Sequence, residues 1–229
     1  MSDFQDTRVL VTGGAGFIGS HTVDQLMNEG AHVRVLDDFS DSDDSNIEYW
    51  KGENRFELVV GDIRNPDVVS NALEDITYVF HMAAKVSIPL SVERPHYVFD
   101  VNVMGTSNLL DQCRKRDIEK VVFPSSASVY GDVASLPIVE SASTNPISPY
   151  GVSKLMSEQV VLTYYHTYGL QTTILRYFNV YGPRQTGGAY SGVISIFLKQ
   201  AMENAPLTVD GDGQQTRDFV FVDDVVSSN

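Results

Sequence analysis

An apolar, β-branched run, Val9-Leu10-Val11-Thr12, ends in Gly13-Gly14-Ala15-Gly16-Phe17-Ile18-Gly19 and passes directly into an amphipathic stretch. Strand, tight turn and helix in that order leave few folds open. Gly14, Gly16 and Gly19 fit the spacing G-x-G-x-x-G, and Gly13, Gly16 and Gly19 fit the related G-x-x-G-x-x-G. In such a turn one glycine allows the sharp reversal, one lets phosphates approach the backbone, and one lets helix pack closely on strand. A diphosphate would then meet the unpaired N–H groups at the positive end of the helix. A glycine-rich turn with no ligand is the plainer reading of the glycines alone. The strand before them and the helix after them favour a dinucleotide cradle, which includes Phe17 and Ile18 at the start of the helix.

The remaining chain keeps the same alternation. Strands are expected at 8–12, 32–36, 56–60, 78–81, 121–124 and 172–176. Helices are expected at 17–29 (ended by Gly30), from Asn65-Pro66 to Leu73, at 95–116 despite Gly105, and from Ser148-Pro149 to Tyr168-Gly169. This pattern predicts an α/β fold, a Rossmann-type doubly wound parallel sheet with helices on both faces. Beyond Arg176 the texture changes. Gly182-Pro183 and Gly187-Gly188 interrupt it, a helix is expected at 192–204, and Thr208-Val209 leads into Gly211-Asp212-Gly213. Residues 219–222 and Asp223-Asp224 read as another strand opening another helix. The expected division is a dinucleotide-binding domain over 1–178 and the start of a small, truncated C-terminal substrate region over 179–229.

Charge narrows the function classes. Sixteen basic residues face 30 acidic ones, a net charge of −14, and such a surface repels nucleic acid. No apolar run is long enough to span a bilayer, so no membrane role is expected. The polar, acidic opening Met1-Ser-Asp-Phe-Gln-Asp-Thr-Arg8 is unlike a secretory signal. A single cysteine, Cys113, excludes an internal disulfide and suits a soluble, cytoplasmic protein. Within a helix it reads as a buried, inert thiol. His21, His32, His81, His96 and His166 lack metal-ligand spacing, so no metal is expected. His81 reads as a cap on a strand end, and the acidic segment 37–44 as a solvated loop.

Asp37 ends the second strand, 18 residues beyond Gly19. A carboxylate there accepts hydrogen bonds from the adenosine ribose hydroxyls and repels a 2′-phosphate, and no arginine follows it, which favours NAD over NADP. Asp62-Ile63 and Ala83-Ala84 end the third and fourth strands, where an open parallel sheet places its ligand. Either pair alone is an ordinary strand end; as a series they extend the cofactor site. Ser126 follows the fifth strand, and Tyr150 and Lys154 stand four apart at the start of a helix, on one face. Alone, Tyr-x-x-x-Lys is a surface pair. Behind a dinucleotide turn it reads as a redox pair, because a nearby ammonium and a cationic nicotinamide would lower a phenol pKa of about 10.

The motifs Gly13–Gly19, Asp37, Asp62, His81-Met-Ala-Ala84, Ser125-Ser-Ala-Ser-Val-Tyr-Gly131 and Tyr150-Gly-Val-Ser-Lys154 follow one pattern. Arg176-Tyr-Phe-Asn-Val-Tyr-Gly-Pro-Arg184 and Gly211-Asp-Gly-Gln-Gln-Thr-Arg-Asp-Phe-Val220 continue it. The sequence resembles the extended short-chain dehydrogenase/reductase family, in its nucleotide-sugar epimerase and dehydratase branch, over essentially its whole length. The resemblance implies Asn102 at the cofactor region, Phe178 at the nicotinamide pocket, and Asn179 and Arg217 on the diphosphate of a UDP-sugar substrate. It also implies a homodimer through the helices near 95–116 and 149–168. Related dehydratases carry Asp-Glu directly after the catalytic hydroxyl residue, and related decarboxylases a Glu just before Val-Tyr-Gly. Here Ala127 and Ser128 stand instead, which favours an epimerase that needs only reversible oxidation. Lys85-Val-Ser-Ile-Pro89 and Gly188-Ala-Tyr-Ser-Gly-Val193 resemble epimerases of UDP-glucose, UDP-N-acetylglucosamine or their uronic acids. A non-catalytic NAD-binding module is the rival class.

Overall fold

The computed structural model describes residues 4–133, 135–185, 192–209 and 211–229. In chain order it runs β1 (Arg8–Thr12), α1 (Phe17–Asn28), β2 (His32–Asp37), β3 (Phe56–Val60), α2 (Pro66–Ala72), β4 (Tyr78–His81), α3 (Ile88–Glu93), α4 (Pro95–Phe99) and α5 (Thr106–Cys113). Then come β5 (Lys120–Ser126), α6 (Pro149–Tyr168), β6 (Thr172–Tyr177), β7 (Asn179–Tyr181), α7 (Val193–Met202), β8 (Phe219–Phe221) and α8 (Val222–Ser227). Six strands form one parallel sheet in the order β3-β2-β1-β4-β5-β6. The order reverses between β1 and β4, so their carboxyl ends diverge into a crevice.

Alternation along the strands builds two cores. Val9 and Val11 of β1, with Val33 and Val35 of β2 and Phe80 of β4, pack against Val23, Leu26 and Met27 of α1. Leu10, Leu36, Val79, Val121 and Phe123 face the other way, against Val69 and Leu73 near α2, Leu109 and Leu110 of α5, and Val161 of α6. Period two in a strand makes this split unavoidable.

The helix expected at 95–116 is interrupted. A π turn at Asp100–Gly105 separates α4 from α5, where Asn102 bonds to both the N–H and the carbonyl of Lys85 and its own carbonyl accepts from Ser157 at 2.9 Å. A widened turn is the common result when side chains insert into the helix ladder. The segment 37–44 is exposed at most positions, as expected of a solvated loop, with Asp37 buried at its start. It leads into 3₁₀-helical turns at Asp44–Asn46 and Glu48–Trp50, because Trp50 enters the core and donates to Asp24 at 2.6 Å. α3 and β7 had no clear sequence signal. β7 pairs in parallel with β8, α8 packs on α1, and Thr208-Val209 forms no strand. The Gly187-Gly188 break lies outside the described residues. Among those described, no helix is long and apolar enough to cross a membrane.

α6 shows how locally these elements are specified. Ser148 caps it by accepting from the Gly151 N–H at 3.0 Å, Pro149 occupies its first turn, and Gly169 ends it at φ 73°.

Two constraints dominate the turn after β1. Gly13 holds φ 67°, and a Cβ there would lie 2.7 Å from the backbone nitrogen of Ala83. A Cβ on Gly19 would run into the Gly13 carbonyl oxygen, so the third glycine is what lets α1 close on the turn. Gly19→Ala should therefore cost about 1–3 kcal/mol, measured as a fall in the urea midpoint. Gly16→Ala, whose Cβ meets that oxygen at 3.3 Å, should cost under about 1 kcal/mol.

His81 ties three elements together. Its Nδ1 lies 2.7 Å from Thr12 Oγ1 and its Nε2 2.9 Å from Thr106 Oγ1, so it is a core crosslink rather than a strand cap. Burial, reinforced by the charge of Lys154, pushes its pKa down to about 3. The folded ring stays neutral while the unfolded chain binds a proton near pH 6.5. Its contribution is complete above that pH and declines as pH falls toward 3, by up to about 1.4 kcal/mol per unit. The stability gap between wild type and His81→Gln should narrow steadily as urea titrations are moved from neutral to acid pH.

Candidate functional site

The carboxyl ends of the six strands open on one cavity of about 530 Å³. Gly13, Gly16, Phe17, Ile18 and Gly19 line it from the first turn, Asp37 from β2, Asp62 and Ile63 from beyond β3, and Ala83 and Ala84 from beyond β4. Ser126, Tyr150, Lys154 and Phe178 line the same cavity. Residues more than a hundred positions apart in sequence thus share one wall.

Asp37 is nearly buried, and its carboxylate is aimed by two backbone donors, Ala15 N to Oδ2 and Phe39 N to Oδ1, both at 2.9 Å. Burial raises its pKa and those N–H groups draw it partly back. Asp62 is held by Arg64, whose Nε lies 2.9 Å from Oδ2, and this pairing keeps its pKa below the ordinary value. Arg64 also reaches Asp100 at 2.6 Å. No arginine is among the described residues lining the cavity.

The reacting wall is drier. Ser126 ends β5 and accepts from the Ser128 N–H at 3.2 Å. Tyr150 and Lys154 occupy the first two turns of α6 and are buried. The Lys154 ammonium donates to the Pro124 carbonyl at 2.6 Å and lies 4.8 Å from the centre of the Phe123 ring. Burial pushes its pKa down to about 8, with the carboxylate of Glu158 pulling upward. The expected depression of the Tyr150 pKa is not what the bare site produces. Burial raises it, and the hydrogen bond with Ser126 opposes that shift.

Three residues stand off this wall. Asn102 is buried behind it, bonded to Lys85 and to Ser153 Oγ at 2.9 Å, so it braces the cavity without lining it. Asn179 donates to the Asp218 carbonyl at 3.0 Å, and the exposed Arg217 donates to the carbonyl of Thr216 at 2.8 Å. Of the two substrate motifs in the sequence, residues 188–191 lie outside the described residues, while Lys85 is central. Lys85 lines the cavity, is only 4% exposed, and donates to Ser40 Oγ and Asp41 Oδ2, both at 2.6 Å. This clasp ties the end of β4 to the acidic segment. Its place immediately after Ala83-Ala84 was the available signal. Among the described residues, no group of three or more His, Cys, Asp or Glu could hold a metal. Cys113 is buried, with a pKa pushed up to about 12 by burial.

Residues 9–229 match the NAD dependent epimerase/dehydratase family. A putative UDP-glucose 4-epimerase of Methanocaldococcus jannaschii is 45% identical over 223 residues, covering 96% of this chain and 72% of the relative. The structure of a UDP-N-acetylglucosamine 4-epimerase from Methanobrevibacter ruminantium, in complex with UDP-N-acetylmuramic acid, aligns with a TM-score of 0.94 at 36% identity. That alignment covers 99% of this chain and 72% of the other. A dTDP-glucose 4,6-dehydratase from Streptomyces venezuelae with NAD bound aligns with a TM-score of 0.92 at 34% identity, covering 96% and 70%. The chain belongs to the NAD-dependent epimerase/dehydratase family of enzymes.

Proposed function

We propose that the chain catalyses NAD-dependent 4-epimerisation of a UDP-sugar, of the UDP-glucose/galactose or UDP-N-acetylglucosamine type, through a transient 4-keto sugar. The observation that carries this reading is the convergence of Ser126, Tyr150 and Lys154 on one cavity wall beside a serine motif that continues as Ala127-Ser128, with no carboxylate. Elimination and decarboxylation call for an added acid or base there; reversible oxidation does not. The names of the relatives support the UDP-sugar.

The residues present fit NAD. The glycine turn Gly13–Gly19 lines the cavity with backbone and shares it with the buried Asp37 carboxylate, which two N–H groups orient. Gly13, Gly16, Phe17, Ile18 and Gly19 would hold the diphosphate, and Asp37 the adenosine ribose hydroxyls. Asp62, Ile63, Ala83 and Ala84 would flank the adenine and its neighbouring ribose, with Asn102 bracing them and Phe178 at the nicotinamide side. NAD held by these residues would supply reversible hydride chemistry at sugar C4.

Tyr150 takes the proton of the sugar 4-hydroxyl while Ser126 orients that hydroxyl, and Tyr150 later gives the proton back. Burial works against the phenolate, so cationic help is essential. Lys154 has three N–H donors and spends one on Pro124, which leaves two to turn toward Tyr150 and a bound ribose. Asn179 and Arg217 are assigned to the UDP diphosphate through family resemblance. The same resemblance supports a homodimer, for which Met104, Met156 and Tyr168 supply exposed apolar surface along the 95–116 and 149–168 helices.

The test is to incubate the chain with NAD and each candidate UDP-sugar and to analyse the sugar product. Interconversion of C4 epimers is expected, and Tyr150→Phe should lower the rate about 100-fold or more. A near-normal rate in that variant would remove Tyr150 as the base. A 4-keto-6-deoxy product would make the enzyme a dehydratase, and a pentose from UDP-glucuronate a decarboxylase. Bound NAD with no conversion would make the chain a binding module.

A further inference from the structure

Glu158 stands one helical turn beyond Lys154, as Lys154 stands one turn beyond Tyr150. Positions four apart follow one helix face, and all three side chains are buried. A buried carboxylate is costly unless hydrogen bonds and an opposite charge meet it. Glu158 has both. Arg176 of β6 donates to it from Nε at 2.9 Å and from Nη2 at 2.7 Å, the fork geometry that suits a carboxylate. The hydroxyl of Ser125 donates to its Oε1. Ser125 and Arg176 are register partners across the sheet, so one carboxylate pins β5 and β6 at the same level, one residue before Ser126. Lys154 grips the preceding residue through the Pro124 carbonyl. α6 is therefore stapled to consecutive residues of β5 by opposite charges. Nη1 of Arg176 completes the network on the Tyr130 hydroxyl at 2.9 Å. Glu158 itself does not line the cavity, so it can act only through its neighbours.

We propose that Glu158 is a positioning residue for the reacting pair, holding the Lys154 ammonium charged and the strand end that carries Ser126 in place beneath Tyr150. This rests on the reading of Lys154 as the partner of Tyr150. The groups set against Lys154 are Glu158 from its own helix, the Phe123 ring and Pro124 carbonyl from β5, and the neutral His81 from β4, with Tyr150 and Ser126 lining the same cavity. Arg176 of β6 meets it only across Glu158. Glu158 is the one negative charge in that set.

The test is an NMR titration of the chain labelled with ¹³Cε-lysine, the Lys154 signal being assigned by its loss in Lys154→Met. Wild type should titrate near 8. Glu158→Gln removes the attraction and leaves Arg176 uncompensated, so the titration should fall by about one unit or more. A role confined to packing predicts the opposite sign: a loosened site admits water and the titration climbs toward 10.5. A fall supports the proposal; a rise or no change overturns it. Should Glu158→Gln fail to fold, the double variant Glu158→Met/Arg176→Met exchanges the buried pair for apolar side chains, a replacement proteins tolerate well. A smaller fall of the same sign is expected there, since the repulsion of Arg176 is removed together with the attraction of Glu158, and its absence is equally fatal. The titration needs neither NAD nor sugar, so its failure is distinct from failure of the epimerase reading.

Discussion

The contact on which the rest of the molecule depends is the approach of the Gly13 turn to the backbone at the end of β4. A side chain at position 13 would collide with Ala83, so only glycine lets β1 and β4 stay paired up to the point where the chain turns away. That pairing is where the strand order reverses, and the reversal creates the crevice in which an open parallel sheet binds its ligand. His81 then bonds Thr12 on one side and Thr106 on the other, fixing the strand end from within. The cavity is a consequence of sheet topology before it is a consequence of any side chain lining it.

Within this frame, most of the ionisable groups near the chemistry are held away from their ordinary states. Burial lifts Tyr150 and Asp37 and depresses Lys154 and His81. The four shifts share one cause, removal from water, and each disfavours the charged form. In a site of this kind the charged form of each group depends on the partners placed beside it. Desolvation also strengthens whatever electrostatic interaction is then made. On the proposed reading the phenol of Tyr150 is protected from idle ionisation and depends on neighbouring cations for its activation. The carboxylate of Glu158, paired with Arg176 and one turn from Lys154, supplies part of the balance from outside the cavity.

The six-stranded sheet was legible because strand and helix periods differ and the punctuation is strong. Gly30, the Asn65-Pro66 and Ser148-Pro149 starts, and Gly169 all mark element ends in the structure. Motifs carried by strand ends and by the first turns of α1 and α6 were legible for the same reason, since the sheet delivers them to one place. What escaped was set by tertiary contact. The π turn at 100–105 comes from Asn102 bonding to a chain segment seventeen residues away, which no local pattern encodes. The 3₁₀ turns before β3 follow from Trp50 finding Asp24. Lys85 was visible as a lysine at a strand end, but its partner Asp41 sits in a segment whose charge alone suggested solvent. A run of aspartates reads the same whether water or a buried lysine meets it.

The overall charge of −14 poses a problem for any site meant for diphosphates. At physiological salt, charges beyond about 8 Å are largely screened, so the surface chiefly slows encounter and leaves binding to local groups. Among the described residues, the cations lining the cavity are Lys85 and Lys154, and both are already engaged, one by Asp41 and the other by the Pro124 carbonyl. α1, by contrast, begins at Gly16 with no side-chain cap and no acidic residue in its first turn. Its first turn, Gly16–Gly19, lines the cavity, at the positive end of the helix dipole. Anion binding through backbone amides needs no net positive charge. An acidic chain can therefore hold a dinucleotide diphosphate without exposing a basic patch and without drawing on the two engaged lysines.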